Sequence, residues 1–330
     1  MPSENTIVKT AAVSEPTPDT KLFPIRVLAE KTAVGTSTLR AWERRYGLLQ
    51  PQRTPKGHRL YSQKDVKRVA KILDLLNDGH SLPSIAEMLA IQNEADDAVK
   101  IGLENVLSAA MSSVWFDLIE ATLEATEDFN IERIDAIYNE ASSLYPVDMV
   151  TDRLIQPVIT SLGKAWIEYP EKGIAQEHFY TSWLKNRLGA RFHHNYSHAK
   201  GARIICACLP GSYHEIGLML FSLSALARGY RVLYFGADLP LNQLSYIRER
   251  SAAKAIVLGA HKTMSNIVST ELIELMPKLK TPVFIGGTDE LNSLDSFQNA
   301  GGILLGSNIS VALSIFESRI QVYPATTLRK

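Results

Sequence analysis

The sequence predicts a multidomain protein of mixed α and α/β class: a winged helical module, a helical bundle and a doubly wound parallel sheet. Three observations carry this expectation. Apolar residues recur at helical spacing through most of residues 21–195. Beyond residue 200 the period changes. Apolar runs of strand length at 203–209, 231–235, 255–258, 282–285 and 302–305 alternate with helical stretches at 216–228, 241–251, 264–279, 289–299 and 308–319. Such alternation gives a five-stranded parallel sheet with helices on both faces. Charge is also partitioned. The 330-residue chain is formally neutral, yet residues 21–90 hold 13 basic and 6 acidic side chains, a net of +7, and residues 91–200 hold 9 and 17, a net of −8. The basic part is where a polyanion would bind, and the acidic part would repel one.

Residues 1–20 are polar, without the apolar stretch of a secretory signal, and read as a disordered tail. The winged module spans residues 21–92. Its first helix runs from Pro24 to Ala33, with Ile25, Leu28 and Ala29 apolar, and Ala33-Val34-Gly35 turns the chain. Thr36 or Ser37 can cap the second helix, and Gly47 can end it as a C′ residue. Between them Leu39, Trp42 and Tyr46 share one face, and Arg40, Arg44 and Arg45 lie mostly on the other. Pro51, Pro55 and Gly57 hold Arg53, Lys56, His58 and Arg59 in a short stretch suited to a tight turn along phosphates. A basic run of this kind is otherwise a solvated face, but the helix and turn before it complete a helix-turn-helix. Two amphipathic helices follow, Gln63 to Leu76 and, after Gly79, one carrying Leu82, Ile85, Met88 and Leu89.

A weak break at 91–98 leads to the second part, residues 99–197. Helices are expected at 100–112, 114–128, 130–141, 147–167 and 174–195, with breaks at Asp128-Phe129-Asn130, Tyr145-Pro146 and Tyr169-Pro170. Five helices with short connections suit a four-helix bundle plus a connecting helix. The third part, residues 200–322, is the flavodoxin-like sheet. Ligands of such sheets bind at the carboxyl ends of the strands, so the loops after strands one, three and four are where chemistry is expected. Cys206 and Cys208 are two apart in a strand and point the same way, which suits core packing and not a mutual disulfide. Low cysteine content fits a reducing compartment, and no apolar run is long enough to span a bilayer.

The N-terminal residues Thr38-Leu39-Arg40-Ala41-Trp42-Glu43-Arg44-Arg45-Tyr46-Gly47-Leu48, with Arg53-x-x-x-Gly57-x-Arg59-Leu60-Tyr61, resemble the winged helix-turn-helix of MerR-type transcription regulators over about residues 22–90. The resemblance implies a DNA-binding regulator acting at the nucleoid in the cytoplasm. Double-stranded operator DNA would be its partner, with a second copy of the chain and RNA polymerase as further partners. Arg40, Arg44 and Arg45 are the expected groove and phosphate contacts, with Thr38 nearby. Arg53, Lys56, His58, Arg59 and Tyr61 are expected to hold the wing to the backbone.

In the third part the first strand is followed by Gly211-Ser212-Tyr213-His214-Glu215-Ile216-Gly217, and the fourth ends in Ile285-Gly286-Gly287-Thr288. In the bundle Trp166 precedes Glu177-His178. A large aromatic, a carboxylate and an imidazole there could roof a planar group approached from below by another imidazole. Together these residues resemble the cobalamin-binding module of methionine synthase-like proteins and of MerR-type regulators of the CarH/LitR class. That module is marked by Asp/Glu-x-His-x-x-Gly, then Ser-x-Leu/Thr about forty residues on, then Gly-Gly. The light-sensing regulators add a Trp-x9-Glu-His run in the bundle. The resemblance implies cobalamin as cofactor, with His214 as the axial cobalt ligand. Gly217 would then be the motif glycine, Gly286 and Gly287 would admit the nucleotide tail, and Trp166, Glu177 and His178 would form the upper cover.

The chain departs from that pattern in places. Ser212, the eighth residue expected at the cofactor site, stands where the family has an acidic residue; its hydroxyl can accept the imidazole proton but supplies no charge. Gly259 and His261 stand in place of the serine and the Leu/Thr. Ten residues, not nine, separate Trp166 from Glu177, and Ile167 follows Trp166 where light-sensing relatives carry histidine. On a regular helix the extra residue would rotate Glu177-His178 by about 100°, unless the Pro170 loop absorbs it. These departures keep open a regulator whose sensor domain binds no cobalamin but another ligand or a protein. A cobalamin-dependent methyl-carrier protein is a third reading. The absence of a substrate domain and the commitment of the N-terminal part to DNA argue against that one, so no enzymatic activity is expected.

Overall fold

The computed structural model of the chain describes residues 22–91, 100–196, 199–260, 264–287 and 294–320. The expected tail at 1–20, most of the break at 91–98, His261 and Thr288 lie outside the described residues.

Strand β1 (Phe23–Pro24) leads into α1 (Ile25–Thr32) and α2 (Thr36–Tyr46), and β2 (Gln52–Arg53) and β3 (Arg59–Tyr61) make the wing. The three short strands form one antiparallel sheet in the order β1-β3-β2. The cap of α2 differs from expectation: the N-cap is Gly35, without a side-chain cap bond, and Thr36 is already helical. At the other end Gly47, at φ +62°, donates its N–H to the carbonyl of Glu43, and Leu48 donates to Trp42. These paired bonds satisfy carbonyls that a helix end leaves open. Helix α3 (Gln63–Asn77) starts with a reciprocal Ser62–Asp65 capping box, and Gly79 separates it from α4 (Leu82–Ile91).

The bundle has four long helical arms among the described residues. Helix α5 (Lys100–Glu127) is continuous where two helices were expected near residue 113. No glycine or proline falls between residues 103 and 127, and Ser112-Ser113 are carried inside the helix instead of capping a new one. Asn130 accepts the N–H of Arg133 and starts α6 (Ile131–Leu144). The third arm is α7 (Val147–Val150), a π-helical turn (Thr151–Ile155) and α8 (Gln156–Glu168), and the fourth is α9 (Pro170–Tyr196). No separate connecting helix appears among them. No helix of the described residues is long and apolar enough to cross a membrane.

The last part alternates β4 (Arg203–Cys208), α10 (Ile216–Ala227), β5 (Arg231–Gly236), α11 (Gln243–Ser251), β6 (Ala255–Gly259), α12 (Asn266–Leu279), β7 (Val283–Gly286), α13 (Asp295–Asn299), β8 (Ile303–Gly306) and α14 (Ile309–Ile320). All strands pair in parallel in the order β5-β4-β6-β7-β8, the flavodoxin-like order. Side chains alternate across the sheet as the two-residue period demands. Ile204, Cys206 and Cys208 join a core with Phe221, Phe316 and the bundle, whereas Ile205, Ala207 and Leu209 pack with Leu244, Leu272 and Phe297 on the other face. The order reverses direction at β4, whose neighbours are the next two strands, and that reversal opens a crevice at the carboxyl ends of β4 and β6.

The winged module also touches the bundle. The Trp42 indole Nε1–H of α2 donates to the carbonyl of Leu144, at the end of α6, at 2.8 Å. Arg153 reaches the carbonyl of Asn77 at 3.4 Å.

Candidate functional site

Helix α2 sorts its residues by face. Leu39 and Trp42 are fully buried, whereas Arg40, Arg44 and Arg45 are exposed on the outer side. Thr38, expected beside them, is only 3 % exposed. It lies on the inward face with Leu39 and Trp42, and so is withdrawn from any groove. On the wing Lys56 and His58 are exposed around the Thr54–Gly57 turn. Tyr61 is a second correction. It is 0 % exposed, part of the module's core, and no hydrogen-bond partner reaches its hydroxyl among the described residues. The strand period explains this: Arg59 and Tyr61 share a face of β3, and that face looks toward the helices.

Sequence reasoning missed Glu43. Its carboxylate, 12 % exposed, takes Arg59 Nε at 2.6 Å and Arg53 Nη2 at 3.2 Å. One carboxylate on the recognition helix therefore holds both wing strands. Two of the expected phosphate contacts are thus already engaged, Arg59 more fully than the half-exposed Arg53. The spacing gave a signal, since an acidic residue among arginines on a helix implies a basic partner nearby.

At the crevice of the sheet a cavity of about 400 Å³ lies between bundle and sheet. Glu177 and Thr181 of α9 and Gln156 of α8 border it from the bundle. His214, Gly217, Gly286 and Gly287 border it from the sheet. Five of the eight residues expected around a cofactor therefore meet in one space. Trp166 and His178 do not line it. Their rings stack on each other, centroids 5.5 Å apart at 39°, across the turn between α8 and α9. The extra residue between Trp166 and Glu177 causes no helical rotation, because the interval crosses a hairpin: α8 ends at Glu168 and α9 begins at Pro170.

The glycines differ in what they do. Gly287 has φ +97°, and a Cβ there would lie 2.6 Å from the carbonyl oxygen of Ala260. The fold itself requires glycine at that position. A Cβ on Gly217 would meet nothing within 4 Å, so the protein's own packing leaves that space open. Gly259, in the place of the family serine, has its space filled from the neighbouring strand: a Cβ would sit 3.2 Å from Cys208 Sγ. Burial pushes both thiols up to about 12, so Cys206 and Cys208 stay protonated and act as core residues.

The His214 loop is held by groups outside the expected motif. Ser212 is buried and its hydroxyl has no partner among the described residues. It does not border the cavity; its main chain is engaged instead, donating to Leu209 and accepting from Asp238 N–H at 3.2 Å. Asp238, at φ +54°, accepts Gly211 N–H at 2.8 Å and the Tyr213 hydroxyl at 3.3 Å. Glu215 accepts Lys185 Nζ at 2.6 Å and the Tyr234 hydroxyl at 2.8 Å. Burial alone would raise the Glu215 carboxyl, but Lys185 and Tyr234 outweigh it and hold it below the usual range.

Residues 23–91 match the family described as MerR HTH family regulatory protein. The chain is 28 % identical over 276 residues to the HTH-type transcriptional repressor CarH of Myxococcus xanthus, a match spanning 81 % of this chain and 89 % of that protein. It is 25 % identical over 283 residues to the repressor CarA of the same organism, spanning 84 % and 90 %. Residues 23–91 form a MerR-type helix-turn-helix domain, and the bundle and sheet that follow make up a larger C-terminal domain. The fold of that domain is shared with the monomethylamine corrinoid protein of Methanosarcina barkeri, at TM-score 0.50 and 17 % identity over 63 % of this chain and 99 % of that one. Both relatives are named as transcriptional repressors.

Proposed function

We propose that the chain binds operator DNA as a homodimer and that a cobalamin seated between bundle and sheet controls the arrangement of the two winged modules. The observation that carries the DNA half is the outer face of α2. Arg40, Arg44 and Arg45 stand exposed there while the opposite face is locked into the core. Guanidinium groups so placed can meet base edges and phosphates of a major groove, and Lys56 and His58 extend the contact along the backbone. A dimer would repeat the contact on a second half-site.

What supports the cofactor half is the open space at Gly217, beside His214 and below Glu177. His214 would hold the cobalt from below. Gly217, Gly286 and Gly287 would line the slot of the nucleotide tail, and Glu177 would face the ring from the bundle. Cobalamin, when bound, would supply a cobalt ion that an imidazole can ligate. The ligand can act on DNA binding only through a difference in affinity between the two arrangements of the modules.

Duplexes selected from a random pool and titrated by gel shift test the first half. Log affinity is expected to fall with log salt by about 0.9 per neutralised phosphate. Binding that ignores salt removes the groove reading. For the second half, the protein is mixed with hydroxocobalamin, passed over gel filtration and its visible spectrum recorded. Retained absorbance that His214→Ala alters is the expected result. No retained absorbance returns the domain to a sensor of some other ligand.

A further inference from the structure

The loop between β4 and α10 is gripped by two carboxylates that differ in what they tie it to. Asp238 connects it to the end of β5, within the same domain. Glu215, next to His214, reaches both ways. Its Oε2 accepts Tyr234 of β5 and its Oε1 accepts Lys185 of α9, in the bundle. The Glu215 side chain is 14 % exposed and closely boxed, since a Cβ on Gly236 would lie 3.3 Å from Oε2. Two charge-assisted or hydroxyl bonds on a shielded carboxylate make a stiff joint. Helix α9 is in turn fastened to α6: Trp183 Nε1–H donates to Asp135 at 2.9 Å, and Arg191 donates to the Tyr138 hydroxyl at 3.0 Å.

We propose that Glu215 is a positioning residue that couples His214 to the bundle through Lys185, an inference that rests on the cofactor reading of the cavity. A ligand that draws on the His214 imidazole then also loads α9. The residues of the expected motif do not include this joint. Its partners come from three elements, and only the fold brings Lys185, Glu215 and Tyr234 together.

The test compares the full-length wild type with Lys185→Met, Glu215→Gln and the charge exchange K185E/E215K. Without cobalamin, amide exchange of residues 211–217 is expected to quicken by about tenfold in the two single variants and to return toward wild type in the exchange. Hydroxocobalamin is the probe for the second arm. At equal cobalamin content, the band shift that accompanies imidazole coordination is expected to shrink in Lys185→Met and to be regained in K185E/E215K. A merely structural lysine would not move that signature. If Lys185→Met matches wild type in loop exchange and in spectrum, the coupling is overturned while the cofactor reading stands. If wild type takes up no hydroxocobalamin, the cofactor reading fails instead. Faster loop exchange in Lys185→Met, recovered in the exchange variant, then still supports the tie between Glu215 and α9.

Discussion

The recognition helix and the cavity carry their chemistry in opposite ways. On α2 the candidate DNA contacts are side chains held outward: three exposed arginines over a buried Leu39 and Trp42. In the cavity several of the positions proposed to meet a cofactor are absences of side chain, among them Gly217 and Gly286, beside one imidazole and one carboxylate. The first surface is made by one helix and its period. The second exists where β6, β7, β8 and the loop after β4 meet α8, α9, α10 and α14. The difference teaches that a charged face survives most local errors, whereas a cavity depends on several backbones keeping their separation.

Substitutions sharpen this comparison. Gly287→Ala should have the largest effect. It forces a Cβ onto a φ of +97° and against the Ala260 carbonyl, and is expected to cost about 3 kcal/mol in urea unfolding of the C-terminal domain. Arg44→Ala is expected to weaken operator binding by about 1–3 kcal/mol in fluorescence anisotropy while leaving unfolding unchanged. Lys56→Ala should do less, weakening all duplexes alike and reducing the salt slope by about 1. Gly217→Ala should leave stability within about 1 kcal/mol of wild type, because it adds a methyl to open space near a helix start. The same change should lower cobalamin retention on gel filtration. Equal loss of stability in Gly217→Ala and Gly287→Ala would erase the distinction between a glycine the fold needs and one the ligand needs.

Legibility followed the same division. The faces of α2 and the positions of the five parallel strands were readable, because periods of 3.6 and 2 are local properties of the chain. Tyr61 and Thr38 were misread for want of one local fact each. Both are polar residues beside a basic cluster, and both turn to the core side of their element. Of the residues expected around a cofactor, His214, Gly217, Glu177 and the glycine pair line one cavity, while Trp166 and His178 pair with each other at the hairpin. The sequence placed a break at Tyr169-Pro170, but only the structure decided that this hairpin absorbs the extra residue between Trp166 and Glu177. The absence of a serine at 259 also became intelligible only in three dimensions, where the Cys208 sulfur of the adjacent strand fills the space.

The sequence by itself determined the three-part order, the basic character of the first module and the strand-helix alternation of the last. These follow from composition and repeat spacing, which need no knowledge of distant neighbours. Only the tertiary structure decided that Glu43 clamps the wing, that Glu215 joins a strand loop to α9, and that Trp42 leans on the end of α6. Each is a pairing between segments separated along the chain. The geometry of a hydrogen bond is set by where folded backbones come to rest, and side-chain type alone does not state which partner will be within 3 Å.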